Sequence, residues 1–285
     1  MRRFFALWLA LICLLLALGG CGFDAQTDRD AAQITREAIP DYSGAAYVEV
    51  EGGVPRLQAE DFSGESFETY SSLDSLGRCG TAYACVGLDL MPTEKRGSIG
   101  SVKPSGWQTA KYDCVEGRYL YNRCHLIGYQ LSGENANARN LITGTRYLNT
   151  QGMLPFENMV ADYVKETENH VLYRVTPVFY EQELVARGVL MEGWSVEDEG
   201  EGICFFVYAY NVQPGIEIDY ATGESRLKSQ TGETEHYILN TNTRKFHKPE
   251  CASAASIQPD NRQEYEGSRE QLIQQGYQPC GSCRP

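Results

Sequence analysis

Apolar and polar residues alternate in "AAYVEVEGGVPRL" (45–57) on both sides of Gly52 and Gly53, which predicts a hairpin. Between Asp61 and Tyr220 the pattern is mixed. "KYDCVEGRYLYNRC" (111–124) predicts two short strands around a Glu-Gly turn, the second running straight into His125. "PFENMVADYVKETE" (155–168) places Phe156, Met159, Val160, Tyr163 and Val164 at helical spacing after Pro155, the residue best tolerated in a first turn; this predicts a helix with one buried face. "HVLYRVTPVFY", "LVARGVLMEGWSV" and "GICFFVYAYNVQPGIEIDY" are rich in β-branched and aromatic residues and predict strands, with "EDEGEG" turning the chain between the last two. The polar stretch "ATGESRLKSQTGETEH" then reads as a linker, and the chain changes style. In "GSREQLIQQGYQPCGSC", Ser268 followed by Gln271 is a capping-box pattern and Gly276 a helix stop. The expected class is α+β: a large domain over 45–220, a linker over 221–235 and a small second domain over 236–285.

The first twenty residues obey another rule. Arg2 and Arg3 precede an uncharged apolar run that ends in "LGGC", small residues immediately before Cys21. This resembles a bacterial lipobox, so residues 1–21 are expected to be a lipoprotein signal and Cys21 the lipidated first residue of the mature chain; an ordinary cleaved signal and an uncleaved anchor are the alternatives. Residues 22–44 are polar and acidic with little periodicity and suit a flexible tether. The corresponding location is the outer face of a bacterial cell membrane, with a released form as the variant of that reading.

Charge changes the picture only when its distribution is considered. The chain carries −13 overall, which argues against a phosphate-rich partner, yet residues 78–150, which contain His125, carry +4 between flanks of −9 (23–77) and −10 (151–220). The basic folded segment surrounds the histidine.

Four histidines occur in the chain, and a histidine in an apolar setting is ordinarily a packed core residue. The order of residues from "NRCHLIGYQLSG" (122–133) onward is chemically suggestive: a strand delivers His125, a Gly/Asn-rich loop crosses over, and Asn140, Asn149 and then Glu157 lead into the helix. Taken singly each asparagine is an ordinary turn residue, and Glu157 is a favourable charge in a first helical turn. Cys124 beside His125 invites a Cys-His protease reading, which strand geometry opposes because adjacent residues point to opposite faces.

The stretch from Asn122 to Glu157 resembles the active-site core of the DNA/RNA non-specific endonucleases, the ββα-metal nucleases that include secreted streptococcal and Serratia-type enzymes, and the similarity extends across most of residues 60–220. The family motif is Asp-Arg-Gly-His; here it is "NRCH", with Asn122 for the aspartate and Cys124 for the glycine, while Arg123 and His125 are kept. The resemblance implies a ββα-metal core with an antiparallel sheet and Mg²⁺-dependent hydrolysis of phosphodiesters in DNA, with RNA as a second substrate. It implies His125 as general base, Asn149 as the protein ligand to magnesium, Glu157 as the carboxylate that orients the ion's waters, Asn140 as a supporting residue and Arg123 as a phosphate contact, with Arg139 and Arg146 as further candidates. Serratia-type members place another arginine one turn after the glutamate, where this chain has Ala161. A neutral imidazole can take a proton from a water aimed at phosphorus, and an amide oxygen suits Mg²⁺, so the residue types fit the chemistry implied.

In the tail, His247-x3-Cys251 and Cys280-x2-Cys283 have the spacing of a closed tetrahedral Zn²⁺ site, with a disulfide involving Cys251 as the alternative. The tail resembles the Ada-type metal-binding domain, with His247 at the position of that domain's methyl-accepting cysteine; this implies structural zinc without methyl transfer. Five further cysteines, Cys79, Cys85, Cys114, Cys124 and Cys204, leave at least one unpaired. The expectation is an exported, membrane-tethered, Mg²⁺-dependent nuclease with no obligate protein partner. Its rivals are a surface nucleic-acid-binding or DNA-uptake protein without catalysis and a zinc-stabilised interaction module.

Overall fold

The computed structural model describes residues 39–57, 61, 62, 64–228 and 235–285. The signal segment, Cys21 and most of the tether lie outside the described residues. So do residues 229–234 of the linker. Among the described residues no helix is long and apolar enough to cross a membrane. The chain divides into two compact units at Arg226/Leu227.

In the first unit the strands are β1 (Tyr47–Glu49), β2 (Phe67–Tyr70), β3 (Ala82–Val86), β4 (Tyr121–His125), β5 (Leu141–Thr145), β6 (Val171–Val178), β7 (Gly188–Ser195), β8 (Cys204–Tyr210), β9 (Ile216–Ile218) and β10 (Ser225–Leu227), the last crossing the unit boundary. The helices are α1 (Tyr129–Ser132) and α2 (Leu154–Thr167), with a π-helical turn over Leu148–Met153 leading into the second. Six strands form one antiparallel sheet in the order β1-β8-β7-β6-β3-β2. The predicted turn at 197–202 joins β7 to β8. On one face of the sheet lie α2 and the β4–β5 ribbon: Phe156, Val160 and Val164 of the helix join Leu126, Leu131 and Leu148 against Tyr173, Val189 and Val207. The other face is covered in part by the N-terminal segment, where Val50 packs with Phe206 and Tyr208. Leu57 packs there too, against Cys85 and Leu172.

Two expectations are corrected. The alternation at 45–57 does not make a hairpin: β1 pairs with β8, and after the turn at Glu51–Gly53 the chain runs on over the sheet, with Arg56 N–H donating to Glu192 at 2.8 Å. Alternation specified a strand, and the partner was decided by the available edge of a distant one. On α2 the buried stripe is Phe156, Val160, Ala161 and Val164. Met159 is 46% exposed, because it sits at the margin of that stripe and the small Ala161 takes the place facing the sheet.

The segment before β4 folds back loosely. Lys111 bridges Tyr119, and Leu120 N–H donates to Ala110 O at 3.0 Å, but regular pairing begins only at Tyr121, whose strand partner is β5. β4, β5 and α2 make a ββα unit. It is tied to the sheet by Asn211, fully buried, whose Oδ1 accepts from Thr145 N–H at 2.8 Å and whose amide donates to the carbonyls of Thr143 (3.0 Å) and Ala186 (2.8 Å). In the stretch read as a linker, β10 pairs with β9.

The second unit is a four-stranded sheet in the order β13-β11-β12-β14, built from β11 (Glu235–Asn240), β12 (Lys245–His247), β13 (Arg262–Gly267) and β14 (Gln278–Pro279), with α3 (Ala252–Ala255) and α4 (Arg269–Gln274). The predicted capping box forms at α4: Ser268 Oγ accepts from Gln271 N–H and Gln271 Oε1 accepts from Ser268 N–H. A small core of Tyr237, Leu239, Phe246, Leu272 and Tyr277 lies beneath it.

Candidate active site

His125 ends β4, and residues two apart on a strand share a face, so Arg123 and His125 point the same way while Cys124 points into the core. Cys124 fits there because its cross-ribbon neighbourhood contains Gly144, where any Cβ would collide with the sulfur. The cysteine in place of the motif's glycine is thus matched by a glycine on the facing strand. The thiol is fully buried and burial holds its pKa far above the ordinary range, so it is no nucleophile.

His125 is buried yet lines a cleft of about 590 Å³. Its Nε2 lies 2.8 Å from the carbonyl oxygen of Asn135, and a carbonyl only accepts, so Nε2 carries the proton. Nδ1 is left with its lone pair, 3.3 Å from Nη2 of Arg96. Burial, and secondarily the charge of Arg96, hold the imidazole's pKa below its ordinary value despite the opposing pull of the Asn135 and Glu134 backbone.

Asn149, in the π-helical turn, lines the same cleft, and its amide nitrogen donates to Asn122 Oδ1 at 3.2 Å. The asparagine that replaces the motif's aspartate therefore holds the nitrogen side of Asn149. Its own oxygen remains available. Glu157 stands in the first turn of α2, and its carboxylate lies against the backbone of Gly128: a Cβ there would come within 2.7 Å of Oε2. Desolvation raises the Glu157 pKa to about 7, partly offset by Arg96.

The other expected residues divide. Asn140 is fully buried and outside the cleft: its Oδ1 accepts from Ile127 N–H at 2.9 Å and its amide donates to Ile127 O at 3.0 Å, which fixes the chain just after His125. Arg139 points away, toward the Tyr70 carbonyl. Arg146 lines the cleft and pairs with Glu116 at 3.2 Å. Arg123 lines it too, but its guanidinium donates to the carbonyls of Val102 and Gly100 and stacks over Trp107, 4.0 Å from the ring centroid. Sequence reading missed Arg96 and Trp107, which enter the cleft from an irregular loop. No periodicity marked them; the one available signal was the local excess of positive charge. Arginines at 96, 123 and 146 face a single carboxylate, Glu157, across the lining. This gives a positive field on an acidic protein.

In the second unit His247, Cys251, Cys280 and Cys283 bring their ligand atoms within 4.8 Å of one another. Backbone N–H groups of Cys283 and Ser282 lower the Cys280 thiol to about 7, and burial, with Lys245, lowers the His247 pKa. Both effects favour the deprotonated, ligand-ready forms.

Residues 58–196 match the family model described as DNA/RNA non-specific endonuclease. The fold is similar to the crystal structure of NucA from Streptococcus agalactiae with magnesium ion bound, at 26% identity and TM-score 0.57 over 64% of this chain and 87% of that one. The same protein with no metal bound gives 25% and 0.59 over 72% and 97%. Sda1 nuclease with bound zinc ion gives 29% and 0.52 over 65% and 96%. Residues 58–196 are accordingly the core of a ββα-type DNA/RNA non-specific endonuclease, and the protein is a nuclease-type hydrolase.

Proposed function

We propose that this protein is an exported, Mg²⁺-dependent endonuclease that hydrolyses phosphodiester bonds in DNA, and in RNA as a second substrate, with His125 as general base. The observation that carries the reading is the joint presence, in one cleft, of a histidine with its Nδ1 lone pair facing inward, an asparagine with a free amide oxygen, a carboxylate and three arginines.

The donor set fits magnesium: Asn149 and Glu157 offer oxygen, and the thiol nearest them is turned into the core. When bound there, the ion supplies positive charge to the scissile phosphate and the leaving oxygen. The chain's own residues do the rest. His125 Nδ1 takes the proton from the attacking water, and the Asn135 carbonyl holds the ring in the required tautomer and stabilises the imidazolium that results. Arg96 and Arg146 hold non-bridging phosphate oxygens by charge-assisted hydrogen bonds. Asn122 keeps the Asn149 oxygen aimed into the cleft. Contacts restricted to phosphate and sugar carry no base information, so cleavage has little sequence preference.

In the tail, three thiolates and one imidazole fit a closed tetrahedral zinc site, which would give this small unit the staple its modest core requires. Cys21 we read as the lipid anchor that keeps the enzyme at the membrane surface; labelling with a lipid precursor tests it, and an unlabelled, soluble mature form would remove that part of the proposal.

The deciding experiment incubates the chain from Gly22 onward with supercoiled plasmid in Mg²⁺ or in EDTA, beside His125→Ala. Nicking should require both the ion and His125. Binding without cleavage across several divalent ions would instead favour a nucleic-acid receptor, the reading that the Asn122 departure from the motif would then support.

A further inference from the structure

Arg96 lies on a loop of no regular structure, and the loop is fastened at two points to the chain on either side of His125, once to β4 and once to α1. Tyr129, four residues after the histidine, donates its hydroxyl to Glu94 O at 2.9 Å. Arg123, two residues before it, donates to Gly100 O at 3.0 Å and to Val102 O, with its guanidinium stacked on Trp107. Between these points the loop rests on the turn that also holds the catalytic ring: a Cβ at Gly97 would come within 2.8 Å of the Asn135 amide nitrogen, and Asn135 O accepts from His125 Nε2. Arg96 emerges from this clamped span with Nη2 3.3 Å from His125 Nδ1.

We propose that Arg123 and Tyr129 are positioning residues, which clamp the 94–102 loop across the cleft and thereby set Arg96 beside the catalytic base. The motif arginine then acts on the reaction through Arg96. The inference rests on reading this cleft as a phosphodiesterase site. An arginine has five donors in one plane. Here that plane is spent on two carbonyls of a loop without a ladder of its own, and one face on an indole. Those carbonyls would lose their partners if Arg123 were removed. In the free enzyme the Arg96 guanidinium rests near the Nδ1 lone pair; with substrate present a phosphate oxygen is the better acceptor, and the exchange frees Nδ1 for the attacking water. The clamp keeps this exchange local, because the loop cannot follow the arginine away.

The test is a set of steady-state cleavage measurements in Mg²⁺ on Tyr129→Phe, Arg123→Lys, Arg96→Ala and the two double variants containing Arg96→Ala. Loosening a positioned group costs turnover, so kcat should fall about 5-fold in Tyr129→Phe and about 30-fold in Arg123→Lys, with KM within about 2-fold of wild type. Neither change should lower kcat further once Arg96 is alanine. If Arg123→Lys instead raises KM, leaves kcat alone and adds to Arg96→Ala, Arg123 holds phosphate itself and the proposal falls. A second readout needs no activity. The charge that acts on the His125 ring is that of Arg96, the Asn135 and Glu134 contributions come from backbone groups, and Arg123, Arg146 and Glu157 are the other charged residues lining the cleft. Ring titration by NMR in metal-free protein should therefore move upward in Arg96→Ala, and in the same direction in Tyr129→Phe and Arg123→Lys. Unchanged midpoints in the two clamp variants overturn the proposal. Should wild type cleave no nucleic acid, the functional reading fails while the ring titration still decides the clamp.

Discussion

The Nε2 atom of His125 lies 2.8 Å from the carbonyl oxygen of Asn135, and this one contact decides which ring nitrogen can act as a base. Because Nε2 must donate, Nδ1 is free to accept, and the side chain's chemistry is set by a backbone group ten residues away.

His125→Ala should lower kcat by roughly 10²–10⁴-fold, the range of a general base, without loss of fold. The pH dependence comes from the neutral ring being the active form. Its pKa is lowered from 6.5, chiefly by burial, so the rate should be retained below that pH and lost as pH falls further through the depressed value. A profile of kcat/KM against pH at saturating Mg²⁺ checks this; an acid limb centred at or above pH 6.5 contradicts it.

Asn122 and Asn149 form a pair at 3.2 Å, and the first should act on metal affinity rather than on chemistry. Asn122→Ala is expected to weaken Mg²⁺ binding about 10-fold, with activity restored at high Mg²⁺. Asn149→Ala should not be rescued. A Mg²⁺ titration of initial rates separates the two.

Gly144 has no room for a side chain beside the Cys124 sulfur. Gly144→Ala should therefore destabilise the nuclease unit by about 1–3 kcal/mol, as overpacking does. Adding Cys124→Gly should recover part of that loss, since it removes the atom the new methyl meets. Urea denaturation of the three proteins measures it, and additive losses would show that the two sites are not in contact.

Gly128 is required by a carboxylate rather than by a turn, because its φ of −58° is open to any residue while Glu157 Oε2 would lie 2.7 Å from a Cβ. Gly128→Ala should displace Glu157 and cost activity about 10-fold or more with little effect on thermal stability. An unchanged rate would show that the position of this carboxylate does not matter to turnover.

The tail should release its metal as pH falls, since the three thiolates and His247 must be deprotonated to bind it. Stripping with a strong chelator at neutral pH should unfold the second unit and expose Cys251, Cys280 and Cys283 to alkylation. Resistance of Cys251 and one of the other two thiols to alkylation, before and after chelation but not after reduction, would mean a disulfide instead.

The sequence by itself determined what depends on near neighbours. Helical spacing placed α2, composition placed β6 to β8, Ser268 and Gln271 foretold their reciprocal cap, and His125, Asn149 and Glu157 were legible because a short ribbon and a helix keep their order in space. The paired spacings of His247–Cys251 and Cys280–Cys283 announced the ligand cluster for the same reason. Tertiary structure alone decided the rest. β1 found β8 because an open edge, not a turn, satisfied its backbone. Arg96 reached His125, Gly144 made space for Cys124, and Asn211 tied the ribbon to the sheet through contacts spanning 20 to 68 residues. Such contacts leave no period in the chain: they arise where packing brings distant segments together and burial requires each polar group there to find a partner.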